Sequence, residues 1–406
     1  MDLFTIAISL SGIALLSIVC LPFIIRRSGI IYPLVFLLAG LAWGFFRPDT
    51  VPFDTSHQFN FSHRLPEAYL ALALMSSGLS INKPFSLRGW KIPLRLSSLT
   101  LLLSTAIIAI IGFTFLGMDP ALAILVGAAL SPTDPLLSND LQIALADEAT
   151  SDESLFSISG EAAINNGLCL ALVSLAVLLS QNSGVRDGTL LQWLAYDLLY
   201  RILAAIITGY GLARAIYFLY FRLFPERIQP AIQDGLLAVA TTFLVYALAE
   251  AFQGYGLLAV FIAAITVRNQ ELRQQRATLF FSSMQQLERI VWVALLIYTG
   301  FQLLRFDFRS LPTAYWMAAI AIVLLIRPVT AFMGLTGVSM QFRRKAFISL
   351  VGIKGFGSVY FLTLGMKQGV EESSNSLTWV TLVVLMSLLY HGIICKPLKV
   401  LLLDRN

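Results

Sequence analysis

Four ionisable residues sit inside long apolar runs, where a charge is expensive: Asp134, Glu161, Lys354 and Glu250. A charged side chain at bilayer depth costs several kcal/mol, about 2.5–3.5 on insertion scales, so its retention is itself a hypothesis of function. Asp134 stands in Ala129-Leu-Ser-Pro-Thr-Asp-Pro-Leu136, where two prolines remove backbone donors in mid-span and must break the helix. The break frees carbonyls and half-helix ends, which can ligate a bare monovalent cation beside the carboxylate. The plainer reading, an aspartate capping the second half-helix, is compatible with the first.

A second interruption comes much later, in Val351-Gly-Ile-Lys-Gly-Phe-Gly-Ser358, this time made of glycines around Lys354. Paired interrupted helices in corresponding positions of two halves are a sequence pointer to a transporter site built from inverted repeats. Between them, Gly160-Glu-Ala-Ala-Ile-Asn-Asn-Gly167 puts Glu161 and Asn165 on one helix face, with Asn166 one position around. An isolated buried charge is far costlier than a pair, so Lys354 is the expected partner of Glu161. Arg327-Pro328 predicts a kink whose freed carbonyls the arginine can bond. Glu250, Asp234 and Glu288, at predicted span ends, read as structural or snorkelling. His57 and His63 are placed in an outside loop and His391 in the last span; none has the neighbours of a metal site.

The elements that must hold these residues are membrane spans. The 406 residues are 57% hydrophobic and only 13% charged, with mean hydropathy +0.79, against about 25% charged in soluble domains. Apolar stretches of roughly 20 residues follow one another almost without pause. Thirteen spans are predicted, near 3–25, 29–46, 66–82, 93–117, 120–146, 154–180, 190–221, 231–252, 254–268, 284–304, 312–336, 345–366 and 377–403. Leu3–Ile25 lacks a basic n-region and a cleavage site, so it reads as a span and not a signal. The fold class is thus an all-α membrane protein: one transporter domain over 1–406, with inverted repeats near 1–182 and 230–403, a linker helix near 190–221 and no soluble domain. Cys20, Cys169 and Cys395 have no partner at metal-ligand or redox spacing.

Lys and Arg cluster in alternate loops, at Arg26 and Arg27; Lys83, Arg88 and Lys91; Arg222 and Arg227; Arg268, Arg273 and Arg276; Arg343, Arg344 and Lys345; and Lys396, Lys399 and Arg405. That bias places the N-terminus outside, the C-terminus in the cytoplasm and the protein in the cell membrane. The net charge of +5 is therefore topology and not a nucleic-acid surface. An acidic loop, Asp140 to Glu153, falls on the cytoplasmic side, either as a solvated connection or as a cation-concentrating mouth. Arg268 to Arg289 is polar and helix-forming, and reads as an interfacial helix.

At these motifs the chain resembles the monovalent cation:proton antiporters, the sodium/proton exchanger family and its prokaryotic branch. Ser131-Pro-Thr-Asp-Pro135 is similar to that family's Thr-Asp-Pro unwound helix, Gly160-Glu161 with Asn165 to its Gly-Glu-Ser-x-x-Asn-Asp helix, and Gly352–Ser358 to its Gly-Pro-Arg-Gly segment. Arg327-Pro328, Gly78-Leu79 and Glu250 extend the likeness over the whole chain. The resemblance implies crossed broken helices in a core domain, a dimerisation domain that makes a homodimer in the lipid bilayer, elevator-like movement and no cofactor. It also implies that the ion sits near the acids of the fifth and sixth spans, and that the glutamate pairs with the basic residue of the twelfth. The chain departs from the pattern where it matters most. The family's Asn-Asp is Asn165-Asn166, its serine is Ala162, and its arginine is Lys354.

An amide offers a carbonyl ligand but cannot titrate, so Asn166 cannot carry the proton. The expected ion- and proton-binding set is Asp134, Thr133, Asn165, Asn166 and Glu161, with Lys354, Glu161 and Arg327 stabilising it and Asp134 ligating the Na+ or K+. Competition between a cation and a proton for the one Asp134 carboxylate is all that exchange requires. A transport-inactive sensor, scaffold or partner subunit is the alternative, supported by the Asp-to-Asn departure and opposed by the retained charges. No selectivity-filter sequence or voltage sensor supports a channel, and no metal cluster, phosphate loop or nucleophile motif supports an enzyme.

Overall fold

The computed structural model describes residues 32–46, 55–145, 153–181, 188–223, 230–274 and 279–403, except 372 and 374, together with single positions between 12 and 23. Most of the first predicted span, Arg26, Arg27 and residues 146–152 of the acidic loop lie outside the described residues, as do the side chains of His57, His63 and Asp234.

The described chain is all helix. In order come α1 (Tyr32–Phe46), α2 (Thr55–Ser80), α3 (Lys91–Phe115), α4 (Pro120–Leu130), α5 (Pro135–Leu145), α6 (Glu153–Gln181), α7 (Thr189–Gln192 running through a π-turn into Arg201–Leu223) and α8 (Pro230–Ala251). Then follow α9 (Gly256–Gln274), α10 (Leu279–Gln302), α11 (Thr313–Gly334), α12 (Phe342–Leu350), α13 (Phe356–Lys367) and α14 (Ser376–Leu402). The predicted spans from 29–46 onward each fall on one of these helices or on a broken pair. Among the described residues, seven helices are long and apolar enough to cross a membrane. The two predicted interruptions are the gaps between α4 and α5 and between α12 and α13.

Burial separates centre from periphery. In the Pro120–Leu141 span 94% of the apolar window is buried inside the protein, against 22% for Thr189–Tyr220. The broken span is therefore the hub, and α7 turns apolar residues such as Leu191, Ile207 and Phe218 outward, as a lipid-facing helix must. Helices that share no hydrophobic driving force in lipid associate through small residues that let backbones approach. A Cβ on Gly40 would stand 2.0 Å from the Ile297 carbonyl oxygen, and one on Gly300 would stand 2.1 Å from that of Leu37. α1 and α10 are pressed together at this reciprocal glycine contact. α3 and α11 each carry a π-turn, Leu96–Thr100 and Ile322–Ile326, the latter just before Arg327-Pro328. The proline that cannot donate is what widens the turn. Near these two turns the helices are bonded by Ser104 and Thr330 at 2.8 Å.

Three expectations are corrected here. Residues 55–63, expected in an outside loop with His57 and His63, are the first turns of α2. No separate interfacial helix occupies 268–289 among the described residues: α9 continues through Arg268 to Gln274 and α10 begins at Leu279. Arg268 is buried and paired with Glu271 at 3.0 Å and with Asn82, so it is no loop charge. Asp140 belongs to α5 and is buried, accepting from Arg289 at 2.8 Å and Tyr32 at 2.5 Å. A charged pair at the end of an apolar run can fold inward as readily as it can mark a loop, and composition does not distinguish the two.

Gly300→Val should lower the melting temperature in detergent by the equivalent of about 1–3 kcal/mol of overpacking, whereas the same change at Gly211, where a Cβ meets open space, should cost only the local helical preference.

Candidate functional site

The two breaks face each other. The Asp134 amide donates to the Ile353 carbonyl at 2.8 Å, so the unwound segments are joined by their own backbones. Lys354 reaches back across this crossing: its Nζ donates to the carbonyl oxygens of Ser131 at 2.7 Å and Pro132 at 3.3 Å. An ammonium thus occupies the negative end of α4, where the break leaves carbonyls with no amide partner. Its own amide donates to Ser387 Oγ at 2.8 Å.

Asp134 is 2% exposed and caps α5, accepting from the Leu137 amide at 3.0 Å. Tyr69 donates to the same carboxylate, 2.8 Å from Oδ1 and 3.0 Å from Oδ2. The ring of Tyr69 stacks on Trp292 at 4.8 Å, and Trp292 meets Phe356 edge-on at 4.9 Å. A Cβ on Gly355 would lie 1.9 Å from Asp134 Oδ2, so only glycine lets the second break close on the carboxylate. Asp134 thus caps α5 as the plainer reading expects, with Oδ1 accepting the backbone amide.

The sixth span supplies neutral braces. Asn166 Nδ2 donates to the Thr133 carbonyl at 2.7 Å, to the Ala162 carbonyl at 2.6 Å and toward Asn165 Oδ1 at 3.2 Å. Asn165 Nδ2 donates to Thr133 Oγ1 at 3.3 Å. Both amides therefore hold the unwound Thr133 in place, and all of the expected ion-site residues but Glu161 meet at the first break.

Glu161 is paired with Arg327 and not with Lys354, correcting the expected pair. Arg327 forks onto the carboxylate at 2.5 and 2.7 Å and sends a weak bond of 3.5 Å to the freed Val351 carbonyl. The guanidinium's planar fork suits a buried carboxylate better than an ammonium does, which leaves the lysine for the carbonyls. A Cβ on Gly352 would fall 2.3 Å from Arg327 Nε, so the glycine is there to admit the arginine.

The family model described as sodium/hydrogen exchanger, transmembrane, matches residues 13–401. The chain belongs to the sodium/hydrogen exchanger family. The family and the fold are those of secondary transporters, not enzymes. The fold of this exchanger-family chain is similar to two structures of the sodium proton antiporter MjNhaP1 from Methanocaldococcus jannaschii. One, at pH 8, gives a TM-score of 0.71 at 19% identity, covering 98% of this chain and 100% of that one. The other gives 0.74 at 20% identity, covering 100% and 99%. An uncharacterized Na(+)/H(+) exchanger of Mycobacterium tuberculosis is 28% identical over 171 residues, 42% of this chain and 29% of that protein. The K(+)/H(+) antiporter NhaP2 of Shewanella baltica is 21% identical over 374 residues, 90% of this chain and 61% of that protein. The chain thus matches less than two thirds of the length of these curated relatives.

Several residues of this crossing escaped sequence reasoning. Tyr69 lies in an apolar stretch of α2 and leaves no periodic signal. His391, which looked unremarkable, accepts from the Gly352 amide at 3.3 Å through Nε2, while Nδ1 donates to the Ser387 carbonyl at 2.8 Å. That arrangement fixes one neutral tautomer and satisfies a donor freed by the break. Glu288 is not a snorkelling side chain at all: it is 1% exposed. Glu250 is structural as expected, its Oε1 accepting the Gly256 amide at 2.8 Å at the start of α9.

Removing one member of the Glu161–Arg327 pair leaves an uncompensated buried charge. Glu161→Gln or Arg327→Met alone should cost about 3–5 kcal/mol, read as loss of folded protein or a large drop in melting temperature. The double replacement by methionines should recover much of that loss.

Proposed function

We propose that this protein exchanges a monovalent cation, Na+ or K+, for H+ by alternating access, with Asp134 as the carboxylate for which the two compete. The observation that carries the reading is the crossing itself. An acid with no ion pair among the described residues stands at a place where two helices have come undone, flanked by the Thr133 carbonyl and hydroxyl, with Asn165 and Asn166 bracing them. Lys354 neutralises the α4 carbonyls instead of forming a tight ion pair with Asp134, so the carboxylate is left to be neutralised by a mobile positive charge. A desolvated carboxylate requires one such partner, and either a proton or a small cation serves.

The family, the fold and the names of relatives, a sodium proton antiporter in one case and a K(+)/H(+) antiporter in another, support the same reading. In this reading the protein works as a homodimer in the cell membrane, with its C-terminus in the cytoplasm. Its halves near 1–182 and 230–403 are inverted repeats linked by the helix near 190–221. Asn166 serves as a brace, so one titratable carboxylate at the crossing favours one-for-one exchange.

Asn166 also favours a second reading. Its amide is engaged with two backbone carbonyls, and a carboxylate in the same place would oppose both. A chain that no longer exchanges ions and acts as a sensor, scaffold or partner subunit would tolerate that. Under this reading Na+, K+ and Li+ leave the melting temperature unchanged at every pH, whereas a ligand bound only by the folded state raises it.

In proteoliposomes carrying a pH dye, native protein should give cation-driven dequenching that is lost in Asp134→Asn. Equal signals from the two proteins would remove the exchange reading.

A further inference from the structure

Next to Asp134 lies a layer of buried polar groups that the crossing does not use. α2, α5 and α10 contribute Ser76, Asp140, and Glu288 with Arg289. Asp140 is fully partnered by Arg289 and Tyr32. Glu288 is not: its Oε1 has no hydrogen-bond partner, and Ser76 Oγ, close enough to interact with it electrostatically, has none of good geometry either. Both residues are almost wholly buried, at 1% and 0% exposure. Unsatisfied polar atoms are scarce in protein interiors and costly in hydrocarbon, so an acceptor pair of this kind marks a place for something else to bind.

Packed side chains link the layer to Asp134. Trp292 is one turn from Glu288 on the same face of α10, and it stacks on Tyr69, which bonds Asp134. At about 1.5 Å rise per residue, the steps from Trp292 to Glu288, Asp134 to Asp140 and Tyr69 to Ser76 put the new layer roughly 6–10 Å away. It lies toward the residue-145 end of α5. The groups facing Glu288 are Ser76 from α2, Asp134 and Asp140 from α5, and Arg289 beside it, with Tyr32 of α1 beyond Asp140. The described acid of α8, Glu250, is occupied at the far end with α9.

Charge counting points the same way. Around the two breaks, among the described residues, the buried acids are Asp134, Asp140, Glu161 and Glu288, and the buried bases are Arg289, Arg327 and Lys354. Four acids stand against three bases. Asp140 and Glu161 hold their own arginines, so Asp134 and Glu288 share a single lysine that is bonded to carbonyls. One negative charge is left over in a low-dielectric interior, where it must be met by a mobile positive charge.

We propose that Glu288 is a second exchangeable carboxylate, binding the transported monovalent cation in competition with a proton, with Ser76 Oγ as its neutral ligand, on the route between Asp134 and the residue-145 end of α5. The proposal rests on the exchange reading and adds to it a site on α10.

Proton release on cation binding tests it without transport. Purified full-length protein in weakly buffered detergent with a pH dye is titrated with NaCl, KCl or LiCl, with choline chloride as the blank. Native protein should release protons, Asp134→Asn should keep a reduced release, and the Asp134→Asn, Glu288→Gln double variant should release none. A silent Asp134→Asn, or a double variant that releases as much as Asp134→Asn, overturns the proposal and leaves the exchange reading standing. A silent native protein removes both. Should the double variant fail to fold, Glu288→Asp in the Asp134→Asn background replaces it. Several-fold weaker cation dependence is then expected, and an unchanged one counts against Glu288.

Discussion

Everything in this fold answers to one constraint: a helix broken at bilayer depth exposes carbonyls and amides that no water is there to satisfy. The protein meets it by crossing two breaks so that each completes the other. The Asp134 amide bonds Ile353, Lys354 bonds the α4 carbonyls, and His391 accepts the Gly352 amide. The glycines of the second break are spacing as much as flexibility. Gly352 admits Arg327 and Gly355 admits Asp134, and neither leaves room for a side chain.

From that arrangement the division of labour among the charges follows. Arginine, with its rigid fork, takes the structural pair with Glu161, and lysine, a compact charge on a flexible stem, takes the carbonyls. Asp134 is thereby held by a tyrosine hydroxyl and a backbone amide but, among the described residues, by no cation of the protein's own. Paired charges fix the frame, and at the crossing the unpaired Asp134 carboxylate is the part whose neutralisation can change. Neutral amides at Asn165 and Asn166 hold Thr133 without adding a second titrating group at the crossing.

Much of this was legible in the sequence because prolines, glycines and isolated charges in apolar runs are loud signals. Pro132, Pro135, Gly352 and Gly355 placed both breaks, and the apolar runs located the helices that carry them. Partnership was less legible. Lys354 was expected to hold Glu161, but Arg327, nearer in sequence to a predicted kink than to the site, takes that role through geometry that no spacing reveals. Asp140 and Arg268 looked like loop charges because they sit near span ends, where burial and exposure have the same composition. Tyr69, Ser76 and Glu288 join the centre only when α2, α5 and α10 come side by side, and long-range packing of that kind leaves no periodic trace in the chain.

The central claim is that a monovalent cation takes its place against Asp134 at the crossing. The most direct measurement is an anomalous-scattering map from crystals of the native protein grown with thallium(I), an electron-rich monovalent ion, in place of Na+ and K+. A peak in contact with the Asp134 carboxylate and the Thr133 oxygens, lost when the crystals are brought to acid pH, is the predicted result. A map with thallium bound elsewhere in the protein and none at Asp134 would contradict the account.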